Sequence, residues 1–269
     1  MTPLLREIRL RENIWVWTLG GDRIETSYGA NCTAVVGRDS VLVVDPLIAP
    51  SFARLVESAL SEKTSLPVEH VVVTHHHTDH ALGGSWFAGR GATVTVHPAC
   101  RDAMAAEHRG LVAARRQVPE LAMLFRDAEP YRPDEVVEDS VTFDLGGSAA
   151  RVFHPGHGHT AGDLVVELKK ESVVVCGDLV SVGYHVNYED AAVEKLERGL
   201  RTLADLGART YVPGHGPAAG AGILEDQLAY HAAVGSAEDV EDLRARFPDH
   251  ALPEVVPQSV AIWRRRGKK

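Results

Sequence analysis

Residues 71–84 read VVVTHHHTDHALGG. The run 68–73 is apolar apart from Glu69 and His70, which suits a buried strand. It delivers the chain to a loop with four candidate metal ligands: His75, His77, Asp79 and His80. Residues two apart in an extended segment point the same way, so His75 and His77 can face one ion. Asp79 and His80 can then turn toward a neighbouring ion. Imidazole nitrogen and carboxylate oxygen suit zinc, with bonds of roughly 2.0–2.2 Å. His76 should point away from its neighbours and is read as structural.

Outward from this loop, the pattern alternates between strands and helices. Runs 14–19, 32–36 and 41–44 are short and β-rich, separated by turn residues at 20–22 and 37–39. Residues 51–61 carry Phe52, Leu55, Val56 and Leu60 at helical spacing behind Pro50. A short helix is expected at 83–88, a strand at 93–96 and a helix opening at 98–106. Residues 111–133 read as mostly helical. A second strand-rich set follows at 136–143, 149–153, 164–168 and 173–176. The helix 191–206, the strand 210–212 and a helical region 223–246 complete the pattern. Two similar blocks of this kind predict two sheets packed face to face with helices outside, an αββα sandwich of the α/β class. The chain is read as one domain over residues 1–269, with a helical extension at 220–269. Residues 107–132 could form a lid, a piece of core or a subunit interface.

The chain has 269 residues and a formal net charge of −9. An acidic balance disfavours nucleic acid as a partner, since phosphate binding needs a positive surface. The dense basic run, Arg264, Arg265, Arg266, Lys268 and Lys269, reads as a solvated tail. Cys32, Cys100 and Cys176 show no paired spacing and read as small buried residues. Charged residues interrupt the first seventeen positions, and no stretch is long and apolar enough to span a bilayer. The expected compartment is the cytoplasm, the expected partner a small molecule, and a homodimer is compatible with the sequence.

Three further segments carry candidate ligands. Residues 154–163 read HPGHGHTAGD, 173–180 read VVVCGDLV, and 211–217 read YVPGHGP. Together with the first motif they resemble, in order, the signature segments of the metallo-β-lactamase superfamily. The resemblance runs from about residue 29 to residue 217, and it implies a dinuclear metal site. One zinc ion would be held by His75, His77 and His159. The other would be held by Asp79, His80 and His215, with Asp178 bridging both. Iron or manganese are alternative occupants. His157 competes with His159, and Thr160 and Gly162 favour His159 in the family pattern. Asp45, ending the strand 41–44, resembles a position that hydrogen-bonds the metal loop. His70, His97 and His154 read as structural and His108 as solvated.

The family contains several chemistries. The Asp at 178 resembles glyoxalase II, the acyl-homoserine lactonases and RNA-processing nucleases, while the best-known β-lactamases carry Cys or Ser there. The resemblance therefore implies hydrolysis of a carboxylic ester, thioester or lactone. β-Lactam hydrolysis, a mononuclear-iron sulfur dioxygenase and a phosphodiesterase or ribonuclease are the alternatives. Asp79 and Asp178 are expected in catalysis. On the loop SVGYHVNYED, residues 181–190, Tyr184 is a candidate for oxyanion stabilisation. Tyr184, His185, Asn187 and Tyr188 are expected to line the pocket.

Overall fold

A strand that is apolar at every position, Val41–Val44, implies cover on both faces. The computed structural model, which describes residues 5–266, supplies that cover. Strands β1 (Arg6–Arg11), β2 (Ile14–Thr18), β3 (Asn31–Val36) and β4 (Val41–Val44) pair antiparallel in sequence order. Helix α1 (Pro50–Ser61) crosses over to β5 (Val68–Val72), which pairs parallel with β4. The one-turn helix α2 (Thr78–Ala81) and α3 (Gly84–Ala88) lead to β6 (Thr93–Val96), parallel to β5. Helices α4 (Pro98–Arg116) and α5 (Pro119–Ala122) precede β7 (Glu135–Val136), the edge of this seven-stranded sheet.

The second sheet follows in the chain. It holds β8 (Ser140–Asp144), β9 (Ala149–Phe153), β10 (Val165–Leu168) and β11 (Val173–Ser181), again antiparallel. Helix α6 (Leu196–Asp205) crosses over to β12 (Thr210–His215), parallel to β11. Helices α7 (Gly222–Ser236), α8 (Val240–Arg246) and α9 (Val256–Arg266) end the described chain.

Period-two alternation sorts the side chains into layers. Leu42 and Val44 of β4 point inward, joining Val152, Val166 and Val175 of the second sheet. Val41 and Val43 point outward onto Phe52 and Val56 of α1 and Met104 of α4. On the far side, Val165 and Val174 pack against Leu200 and Leu203 of α6 and Leu224 of α7. The layers are therefore helix, sheet, sheet, helix, as the sequence pattern predicts. The three cysteines are buried and unpaired.

Some boundaries differ from the sequence reading. The run 136–143 is not one strand: β7 belongs to the first sheet and β8 to the second. Asp139 supplies part of the turn between them, its carbonyl accepting from His154 N. Residues 107–132 do not start a separate insertion, because 107–116 are the second half of α4. The basic run is not wholly a tail: Arg264 and Arg265 stand exposed in the last turn of α9, while Lys268 and Lys269 lie outside the described residues. Among the described residues no helix is long and apolar enough to cross a membrane.

Candidate metal centre

The parallel strands β5 and β12 and the long strand β11 end at the same edge of the sandwich, and the donor side chains gather there. Asn31 ties the sheets together beside them, donating to Pro213 O at 2.9 Å and Gly216 O at 2.8 Å. Beyond β5, Thr74 anchors the histidine loop to Asp45. Its N–H donates to Asp45 Oδ1 at 2.7 Å and its hydroxyl to Oδ2 at 2.8 Å. Asp45 holds a left-handed backbone, φ 55°, and is buried. A strained residue kept at such a point indicates a constraint from the site.

The seven expected donors form two clusters, and His77 also meets His76 and Asp190 in a third group. His75 Nε2 and His159 Nε2 lie 3.1 and 3.0 Å from His77 Nδ1. They lie 3.9 and 3.7 Å from Asp178 Oδ2. In the second cluster His80 Nε2, His215 Nε2 and Asp79 Oδ2 are 3.3–3.4 Å from one another. Asp178 touches this cluster as well, with Oδ1 3.3 Å from His80 Nε2 and Oδ2 3.4 Å from His215 Nε2. Metal bonds of about 2.0–2.2 Å in a tetrahedron separate donor atoms by about 3.3–3.6 Å. The observed spacings bracket that range, so the residues fit a pair of adjoining ions.

The remaining ring nitrogens fix the orientation of the donors. His80 Nδ1 donates to Asp45 Oδ2 at 3.0 Å, and His215 Nδ1 to Tyr28 O at 3.0 Å. His77 Nε2 donates to Asp190 Oδ2 at 3.0 Å. His75 Nδ1 donates to the Thr74 hydroxyl at 3.0 Å. Each contact leaves a lone pair aimed into a cluster. Asp163 shapes the loop that carries His159. Its carboxylate accepts from the N–H groups of Gly158, His159 and Thr160 and from the Thr160 hydroxyl, all at 2.7–3.2 Å. Burial pushes the Asp163 carboxyl up to about 7 against the pull of those donors.

Charge agrees with geometry. Burial, then the neighbouring imidazoles, drives His75 well below the usual range and His159 down to about 3. Burial also opposes charge on His80 and His215, but there the carboxylates win. Asp178, Asp79 and Asp45 hold His80 well above its ordinary value, and Asp178 and Asp79 lift His215 to about 9. Asp79 and Asp178 are held well below theirs by His80 and His215, despite burial. Around His80 and His215 the carboxylates Asp79 and Asp178 thus favour positive charge despite burial. Asp178 Oδ1 is buried without an aligned hydrogen-bond donor, as expected of an atom meant for a metal. Gly214 makes room for it, since a Cβ there would overlap Asp178 Oδ1.

A cleft of about 500 Å³ opens over both clusters. Tyr184, His185 and Asn187 line it. The Tyr184 hydroxyl, however, donates to Gly21 O at 2.7 Å and does not reach into the clusters. The expected oxyanion role of Tyr184 is therefore not supported by its geometry. Tyr188 does not line the cleft. It is fully buried against the C-terminal helices, its hydroxyl hydrogen-bonded to His231 Nδ1 at 2.6 Å. Neighbours on an irregular loop face different ways, and Tyr188 faces the core. His108 is buried rather than solvated, with Nε2 donating to His76 O at 2.7 Å. His157 donates to Asp190 O at 2.8 Å and stays outside the clusters. His76 faces Asp190 and Glu107, at 3.5 and 3.6 Å, away from the two clusters. Tyr28, Arg115 and Asp190 also surround the cleft, and the sequence offered no local signal for them. A larger groove of about 950 Å³ between Phe52, Trp86 and Leu124 holds none of the donors.

Known proteins resemble this chain in sequence and fold. A metallo-β-lactamase type 2 from Elizabethkingia meningoseptica is 25% identical over 182 residues, covering 68% of this chain and 65% of that protein. An atrochrysone carboxyl ACP thioesterase from Paecilomyces divaricatus is 29% identical over 199 residues, covering 73% and 52%. The chain thus spans between half and two thirds of the length of these relatives. The solved structure of a metallo-β-lactamase from Pontibacter korlensis superposes with a TM-score of 0.72 at 20% identity, covering 85% of this chain and 99% of that one. The family model described as the metallo-β-lactamase superfamily matches residues 26–215, which hold every donor in both clusters. The chain belongs to the metallo-β-lactamase superfamily.

Proposed function

We propose that the chain is a hydrolase that uses two zinc ions to cleave a carboxylic ester, thioester or lactone. One observation carries this reading: the Asp178 carboxylate lies between the two clusters and within 3.9 Å of donors in both. His75, His77 and His159 would hold one ion, and Asp79, His80 and His215 the other. Imidazole and carboxylate donors suit zinc, and iron and manganese accept related sets. Held by these residues, the ions would supply a hydroxide nucleophile near neutral pH and polarisation of a carbonyl oxygen.

The chain's own residues do the rest. Asp45 and Thr74 hold the histidine loop rigid, and Asp163 fixes the approach of His159. Asp79 lines the cleft, and its carboxylate, kept ionised by His80 and His215, would help hold the second ion at the cleft wall. The cleft volume suits a small molecule. The thioesterase relative supports acyl transfer to water, and the β-lactamase relative favours one second reading, hydrolysis of a cyclic amide.

The test combines metal content with turnover of a thioester, a lactone and nitrocefin. About two zinc ions per chain, with acyl hydrolysis lost in Asp79→Ala, support the proposal. Nitrocefin as the preferred substrate moves the chain to the second reading. One iron per chain with oxygen consumption on a sulfur substrate overturns both.

A further inference from the structure

The cleft contains one cationic side chain that the metal centre does not use. Among its lining residues Arg115 is the lone Lys or Arg, facing an outer rim of Glu107, Glu189, Asp190 and Glu254. Arg115 is held from two sides. Its Nη1 donates to Thr78 Oγ1 at 2.8 Å, and the guanidinium lies 5.0 Å over the buried Phe125 ring. Thr78 immediately precedes Asp79, so the guanidinium is fixed beside the second donor cluster. No Asp or Glu of the described residues forms an ion pair with it, which leaves most of its donor fork free.

Tyr28 lines the same cleft. Ser27 and Tyr28 hold left-handed backbones, φ 55° and 50°, a strained conformation for side-chain-bearing residues. The strain is held by function-facing contacts. Ser27 Oγ donates to Asp79 O at 3.0 Å, and Tyr28 O accepts from His215 Nδ1. The result presents the Tyr28 phenol to the cleft, and among the described residues its hydroxyl has no hydrogen-bond partner.

We infer that Arg115 and Tyr28 form a carboxylate-binding subsite beside the metal centre, and that the substrate is an acyl compound bearing a second, anionic carboxylate. This inference rests on the acyl-hydrolase reading. A fixed planar fork matches a carboxylate in bidentate fashion, and a phenol adds a third donor. The acidic rim repels a doubly charged phosphate or a polyanion more strongly than a single carboxylate, so a half-ester or half-thioester of a dicarboxylic acid is the fitting class.

The decisive comparison uses zinc-loaded protein with a glutaryl thioester and its neutral pentanoyl counterpart. The wild type is expected to favour the glutaryl compound at least about tenfold in kcat/KM. Arg115→Met should bring that ratio close to one, mainly through KM. Tyr28→Phe removes only a hydroxyl with no partner among the described residues and should lower the ratio severalfold, which keeps a test open if Arg115→Met does not fold. Binding of free glutarate against pentanoate, followed by calorimetry on the same proteins, separates the two ideas. If no ester, thioester or lactone is turned over but a glutarate preference is present and vanishes in Arg115→Met, the hydrolase reading falls and the subsite stands. A wild type that treats both compounds alike, or a preference that survives in a folded, metal-loaded Arg115→Met, overturns the subsite.

Discussion

The side chains that orient the donors matter as much as the donors. His77 meets its cluster through Nδ1 because Nε2 is committed to Asp190. Replacing Asp190 with Asn weakens that contact and frees the ring to turn. Metal affinity in Asp190→Asn is expected to fall about 10–100-fold, read by competition with a chelating dye. Unfolding of the metal-free protein should shift little, since the carboxylate is part-exposed. The donors themselves were legible in the sequence because four of them share one strand-loop junction and the others sit in compact motifs. Arg115, Tyr28 and Asp190 were not legible. Each comes from a different element, and no local spacing brings an α4 arginine to Thr78. Tyr188 was misplaced for a related reason: a loop without regular period gives no rule for which side chain faces inward.

Among the elements, the 158–163 loop and the β7–β8 junction teach most. The loop has no sheet ladder to satisfy its N–H groups, and Asp163 does so instead. Asp163→Ala leaves the N–H groups of Gly158, His159 and Thr160 without their acceptor. The expected cost is about 3 kcal/mol in denaturant unfolding, with weaker metal binding as His159 drifts. Most strands and helices could be read from period and turn residues, since Val41–Val44 and Thr93–Val96 are bounded as the pattern indicates. The stretch 136–143 could not. Continuous β-propensity carries no mark of the point where a chain leaves one sheet for another. Strand β1 was also missed, because its sequence REIRLR is charged and lies at an edge where one face meets water.

For the molecule as a whole, the connection between α8 and α9 closes one wall of the cleft through Leu252, Glu254 and Val255. Beneath that wall His231 is buried, and burial lowers it to about 4 from the ordinary 6.5. Its folded value is the lower one, so its contribution is complete above about 6.5 and is lost as pH falls toward 4. A loss of up to about 3 kcal/mol follows from that shift. Thermal midpoints measured across this window should drop in the wild type and drop less in His231→Asn. Metal removal acts at the donor clusters that line the same cleft. A chelator is expected to lower the thermal midpoint, because an ion that binds only the folded state stabilises it in proportion to its saturation.

The order of the two sheets along the chain gives the site an unusual accounting. Strands β1–β7 and the loop with His75, His77, Asp79 and His80 occupy the first part of the chain, while His159, Asp178 and His215 belong to the part that begins at β8. Neither stretch owns a complete set of donors. Cut between β7 and β8, the chain would become two fragments whose reassembly the ion reports and rewards, so metal affinity doubles as a gauge of how firmly the halves embrace.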